Sequence, residues 1–197
     1  MQIEVYTEGA NSFVENTEAQ SFREYFAGTF MSAKSLINDL DSHGEVSVHI
    51  LDDNYGYVRG SDSIDAVSED DRDREPEVER FSSSLLQRAR TADVLVIMLS
   101  KDAFLNTVVP QWDSLSDLSN PDTVWCLATS KKALGHVEVK SHLEQTVIVY
   151  HRSGVARIGA NAREALIELI SNDKSPVEEA YQEYGGGFKP HELLKSS

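Results

Sequence analysis

The chain of 197 residues carries 33 acidic against 18 basic side chains, a formal net charge of −15, and is 40% hydrophobic. That apolar fraction is too high for a disordered chain and the length suits one domain, so a single packed core is expected. The acidity works against broad binding of nucleic-acid backbones or anionic lipid, and no run approaches the roughly 18 apolar residues of a membrane span.

Taken in chain order, the first strand is expected at Ile3–Tyr6. Phe26, Phe30, Ala33, Ile37 and Leu40 then step at helical spacing, with Gly44 as the expected C-terminal cap. Val46–Leu51 is the second strand. Asp65–Glu79, dense in Asp, Glu and Arg, reads as a solvated loop entering a helix whose stripe is Val78, Phe81, Leu85 and Ala89. Val94–Leu99 is apolar on both faces, as a central strand between two helical layers would be. Val124–Ala128 and Thr146–Tyr150 follow, and Ala162, Leu166, Leu169 and Ile170 mark a last helix. Strands alternating with helices predict a three-layer α/β fold, a mostly parallel sheet of about five strands flanked by helices. Residues 1–172 are expected to form that domain. Residues 173–197, with Pro176, Gly185-Gly186-Gly187 and Pro190, read as a flexible or partner-docking tail, which would also serve a homo-oligomer.

Met1-Gln2-Ile3-Glu4 lacks the basic and apolar regions of a secretory leader, so a cytoplasmic location is expected. With only eight lysines and dispersed acids, the composition is that expected of a halophilic, salt-adapted protein, the alternative being an ordinary acidic surface. Cys126 is the single cysteine, and it has no compact ligand spacing with His136, His142 or His151, so no metal site is expected. His49, inside a strand, reads as a core or sheet-face histidine. Walker, Gly-x-Gly-x-x-Gly, Gly-x-Ser-x-Gly and His-Glu-x-x-His signatures are absent.

In a doubly wound sheet the ligand crevice lies beyond the carboxyl ends of the strands. Those ends carry Thr7-Glu8-Gly9, Asp52-Asp53-Asn54-Tyr55-Gly56, Ser100-Lys101-Asp102, Thr129-Ser130-Lys131-Lys132 and His151-Arg152. Asp52 and Asp53 suit either acid–base or cation chemistry or an ordinary turn. Ser100 with Asp102 suits a helix N-cap, and a helix N-terminus there could also face an anion. Lys131-Lys132 suits a phosphate or a solvated loop. In the turn Gly154 to Arg163, Arg157 could clamp a carboxylate or phosphate, or sit on a tight surface turn.

The block Ile50-Leu51-Asp52-Asp53-Asn54-Tyr55-Gly56-Tyr57-Val58-Arg59-Gly60-Ser61-Asp62-Ser63-Ile64 resembles the Ile-Leu-Ser-Gly-x-Tyr-Gly-x-x-Arg-Pro-x-Asp-x-Ile pattern of the peroxide-stress protein YaaA family, without a gap. Tyr25 to Gly28, Leu99 to Phe104 and Ala156-Arg157 through Ala162-Arg163 are similar to further family blocks, in the same order. Asp52-Asp53 stand where the family has Ser-Gly, and the family's opening Ser-Pro-Ala-Lys is missing. The resemblance implies a stress-linked cytosolic α/β protein that binds a nucleotide-like or nucleic-acid ligand at the strand-end crevice, with no settled reaction. Carried over by position, the ligand-binding residues are Tyr55, Gly56, Arg59, Asp62, Ser100, Asp102 and Arg157. In this expectation Arg59 and Arg157 hold the anion, Asp62 and Asp102 orient polar edges or a cation, and Tyr55 offers a stacking face.

Two alternatives stand beside it. Ala92 to Ser100 followed by Trp112 resembles a Toll/interleukin-receptor-type or nucleoside-deoxyribosyltransferase-like domain, which implies cleavage of an N-glycosidic bond by a carboxylate, here Asp102, Asp113 or Asp117. The other is a non-catalytic interaction domain that docks a partner through its tail.

Overall fold

The computed structural model describes residues 1–14, 21–67, 74–120, 122–138, 147–151 and 158–171. Six strands, β1 (Gln2–Glu8), β2 (Glu45–Asp52), β3 (Gly56–Arg59), β4 (Val94–Met98), β5 (Val124–Thr129) and β6 (Val147–His151), form one sheet in the order β3-β2-β1-β4-β5-β6. All neighbours pair in parallel except β2 and β3. Without β3, the parallel strands run second, first, third, fourth, fifth, a doubly wound order whose direction of winding reverses between β1 and β4.

The five expected strands are present, and β3 is an addition. It exists because the chain folds back on itself directly after β2. Asp52 Oδ1 accepts hydrogen bonds from the backbone N–H groups of Asn54 (2.9 Å) and Tyr55 (3.1 Å), an Asx turn, and Gly56 takes a φ of +70° that L side chains rarely adopt. Four residues, Gly-Tyr-Val-Arg, are too few to show an alternating pattern, so the sequence reads this block as a loop at the strand tip.

The alternation of strand side chains divides the core in two. Ile3, Val5, Val48, Ile50, Val96 and Cys126 face α1 (Phe22–Tyr25), α2 (Met31–Leu40) and α7 (Ala160–Ser171). Tyr6, Leu51, Leu95, Ile97, Trp125 and Leu127 face α3 (Arg74–Ala89), α4 (Lys101–Thr107), α5 (Trp112–Leu118) and α6 (Lys131–Leu134). Every residue of β4 is buried, as its continuous apolar run requires.

Two helix boundaries differ from expectation. α2 ends with Asp41 as its C-cap, and Gly44 is needed for another reason: a Cβ there would lie 2.3 Å from the Met1 carbonyl oxygen, where the start of β1 crosses the entry to β2. α3 begins two residues before Pro76, which sits in the first turn where its missing N–H costs no helical bond. No described helix is long and apolar enough to cross a membrane. The expected tail, residues 173–197, lies outside the described residues.

Candidate functional site

Where the winding reverses, the helices after β1 and β4 leave in opposite directions and a crevice opens at the strand tips. It measures about 540 Å³ and is lined by Thr7, Glu8, Gly9, Asn11, Ser12, Thr29, Asp52, Asp53 and Ser100, with Ala10, Phe30, Ala33 and Leu51 as apolar walls. That size suits a small organic ligand, for which pockets of about 300–1,000 Å³ are usual.

Glu8 holds the two sides together. Ser100 Oγ donates to Glu8 Oε1 at 2.9 Å, and the Ser100 backbone N–H donates to Glu8 Oε2, so one carboxylate fastens the tip of β1 to the tip of β4. Ser100 is also the N-cap of α4, accepting from the Ala103 N–H at 3.4 Å, which places the capping role foreseen for it inside the crevice. Gly9 forms the floor. Its N–H donates to the Leu51 carbonyl at 3.0 Å, and a Cβ in its place would lie 2.1 Å from Asp52 Oδ2. Only glycine lets the Asp52 carboxyl stand this close to the backbone.

The lining is one-sided electrically. Glu8, Asp52 and Asp53 bring three carboxylates, Thr7, Ser12, Thr29 and Ser100 bring hydroxyls, and no Lys, Arg or His lines it among the described residues. Such a wall accepts hydrogen bonds from neutral hydroxyls, amides or a cation and repels a phosphate.

The residues singled out from sequence do not share one rim. Ser100 is in the crevice. Asp102 lies in the first turn of α4 and does not line the crevice, its side chain 83% exposed and 3.6 Å from Lys101 Nζ. Tyr55 is 2% exposed, edge-on to Phe22 and Tyr25, with its hydroxyl 3.2 Å from that of Tyr25, so its ring belongs to the core. Gly56 makes the turn into β3 against Glu77. Arg59 and Asp62 are carried away from the tips because β3 runs antiparallel: Arg59 pairs in register with His49, and Asp62 Oδ2 accepts from the Arg59 N–H at 2.8 Å. Arg157 lies outside the described residues. Arg163 bonds Asp39 across α7 and α2 at 3.1 Å, and Asp113 and Asp117 are exposed on α5, none of the three lining the crevice. Lys131 and Lys132 are exposed on α6, behind its Ser130 cap.

Of the thirteen lining residues only Ser100 is among the ligand-binding residues expected from sequence; Thr7, Glu8, Gly9, Asp52 and Asp53 are expected only as polar strand ends, and Asn11, Ser12 and Thr29 carry no signal in the sequence. Glu8 was visible as a strand-end acid, but its importance depends on β1 and β4 being neighbours, which no local pattern encodes.

A second polar constellation lies beneath α3. His49, 2% exposed, contacts Glu4 Oε2 through Nε2 at 2.8 Å and the Tyr57 hydroxyl through Nδ1 at 2.7 Å. The Tyr57 hydroxyl donates to Ser84 Oγ at 2.8 Å, Tyr6 joins through the same Ser84 at 3.2 Å, and the Tyr6 ring stacks on His49 at 4.2 Å. Burial pushes the Tyr6 phenol above its ordinary range, with Ser84 opposing. The histidine is therefore a satisfied core residue. Burial also pushes the Cys126 thiol up to about 12, which removes it as a nucleophile or metal ligand at ordinary pH. Among the described residues no three His, Cys, Asp or Glu side chains converge to hold a metal ion.

Comparisons with protein families, with curated proteins and with solved structures find no match to this chain.

Proposed function

We propose that the chain binds a neutral, hydroxyl-bearing small molecule of nucleoside type in the crevice between β1 and β4. The observation that supports it is a ligand-sized cleft at the winding reversal whose polar wall is carboxylate and hydroxyl with no cation among the described residues. Carboxylates accept hydrogen bonds from sugar hydroxyls or exocyclic amines, and the apolar side, Ala10, Phe30, Ala33 and Leu51, suits the body of a base. This narrows the nucleotide-like expectation: the crevice suits the nucleoside part, whereas a phosphate would meet Glu8, Asp52 and Asp53. The YaaA likeness of the Tyr55 to Asp62 block stays part of the proposal as a fold-level analogy.

The test is thermal stabilisation and calorimetry with nucleosides and their 5′-monophosphates at constant ionic strength. Nucleosides are expected to bind, Asn11→Ala and Asp53→Asn, both at exposed crevice positions, are expected to weaken that binding about tenfold each, and Asp53→Asn is expected to penalise the monophosphate less than the nucleoside. Binding that is unchanged in both variants, or an absence of any response to nucleosides, refutes the assignment.

A further inference from the structure

β2 outruns its partner. β3 pairs only with His49 to Asp52, and the chain then turns off at Gly60, whose N–H donates to the Val48 carbonyl at 2.8 Å. Gly60 must be small, because a Cβ would lie 2.8 Å from the Val48 Cβ, and its carbonyl receives the Arg23 N–H at 3.0 Å. A groove of about 340 Å³ is left along the first half of β2, bounded by α1, the exit of β3 and the last turn of α3.

Three of the chain's ten arginines, Arg23, Arg59 and Arg88, line this one groove, with Ser47 and Ser61 beside them and Glu45 as the lining acid. In a chain of net charge −15 that concentration is against the grain. The three are unequally engaged. Arg23 bonds Asp41 and Asn38, and Arg88, 43% exposed, stands 3.9 Å from Glu4 Oε1. Arg59 is exposed, and among the described residues its guanidinium has no hydrogen-bond or ion-pair partner; its bonds to Asp62 are made by the backbone, the N–H donating to Oδ2 and the carbonyl accepting the Asp62 N–H at 3.0 Å. His49 forms a wall with both ring nitrogens already engaged.

We infer that this groove is an oxyanion site, separate from the crevice, which takes a phosphate group through Arg59 and Arg88 with Ser47 and Ser61 as neutral donors. A guanidinium presents paired donors that match two phosphate oxygens, and two of them on facing elements can clamp one anion. The placement of Arg59 follows from the antiparallel course of β3, which puts it beside His49 and opposite α3.

The experiment replaces KCl with potassium phosphate at constant ionic strength and follows melting temperature and phosphorus-31 line width. Phosphate also stabilises proteins by exclusion from their surface, so the variant is the decisive arm. Arg59→Gln removes an exposed group without a partner among the described residues and is expected to leave the chloride melting temperature within about a degree. It is also expected to weaken phosphate binding about tenfold. Equal phosphate responses in wild type and Arg59→Gln, or no line broadening, overturn the site. Parallel titrations separate the sources of the anion: equal affinity for inorganic phosphate and a nucleoside monophosphate indicates the free ion, and tighter binding of the monophosphate indicates an ester. Uncharged nucleosides, with Asp53→Asn, report on the crevice alone, so failure of one site is distinguishable from failure of the other.

Discussion

Gly56 shows how a single backbone requirement sets the position of several groups. Its φ of +70° disfavours any side chain, and a Cβ would lie 2.6 Å from Glu77 Cγ and 2.8 Å from Cδ. Glu77 cannot simply retreat, because its Oε2 accepts the Tyr57 N–H at 2.9 Å and its carboxylate also binds Arg80. Gly56→Ala is therefore expected to cost about 2 kcal/mol, the sum of a left-handed backbone and a displaced buried carboxylate, read from urea denaturation. Gly135→Ala is the control. With φ at −66° and the nearest atom to a new Cβ at 3.5 Å, it is expected to be neutral or to stabilise by about 0.5 kcal/mol. Equal midpoints for the two variants would show that the turn tolerates a side chain and that Glu77 moves freely.

At the scale of elements, the buried network joins four of them: Glu4 on β1, His49 on β2, Tyr57 on β3 and Ser84 on α3. Replacing His49 with Phe would strand the Glu4 carboxylate, 3% exposed, with Arg88 at 3.9 Å as its one remaining side-chain partner among the described residues. Loss of one buried partner costs about 3–5 kcal/mol. Glu4→Gln combined with His49→Phe removes the stranded charge, so the double variant is expected to be more stable than the sum of the singles predicts, by about 1 kcal/mol or more. Strict additivity would mean that the pair is not coupled. The same elements show what was legible beforehand. Val94–Leu99 could be placed at the sheet centre because apolar residues on both faces have one explanation, and Ser100 could be read as a cap because capping is local. Strand order is not local. The partnership of Glu8 with Ser100, 92 residues apart in sequence, exists only because β1 lies against β4. The sequence likewise carried Arg59 to the tip of β2, and a reversal made by Asp52 and Gly56 took it to the other groove.

For the whole molecule the dominant quantity is charge. With 33 acids and 18 bases, at least 15 acids have no basic side chain to pair with one to one, as 33 − 18 = 15. The surface pairs that form, such as Arg163–Asp39 and Lys101–Asp102, are of the partly exposed kind that contributes about 0–1 kcal/mol each. They cannot offset self-repulsion of the remaining carboxylates, which acts over a screening length of about 10 Å at 0.1 M salt and about 3 Å at 1 M. Folding concentrates these charges, so screening must favour the folded state more than the expanded one. We expect the melting temperature to rise by about 10 °C between dilute buffer and molar KCl, the shift that a few kcal/mol produces in a chain of this size. Sucrose at matched water activity separates this from general exclusion, because it stabilises without screening. A flat response to KCl, or an equal response to sucrose, would show that the acids are spaced widely enough not to oppose folding. The composition would then describe solubility rather than adaptation to salt.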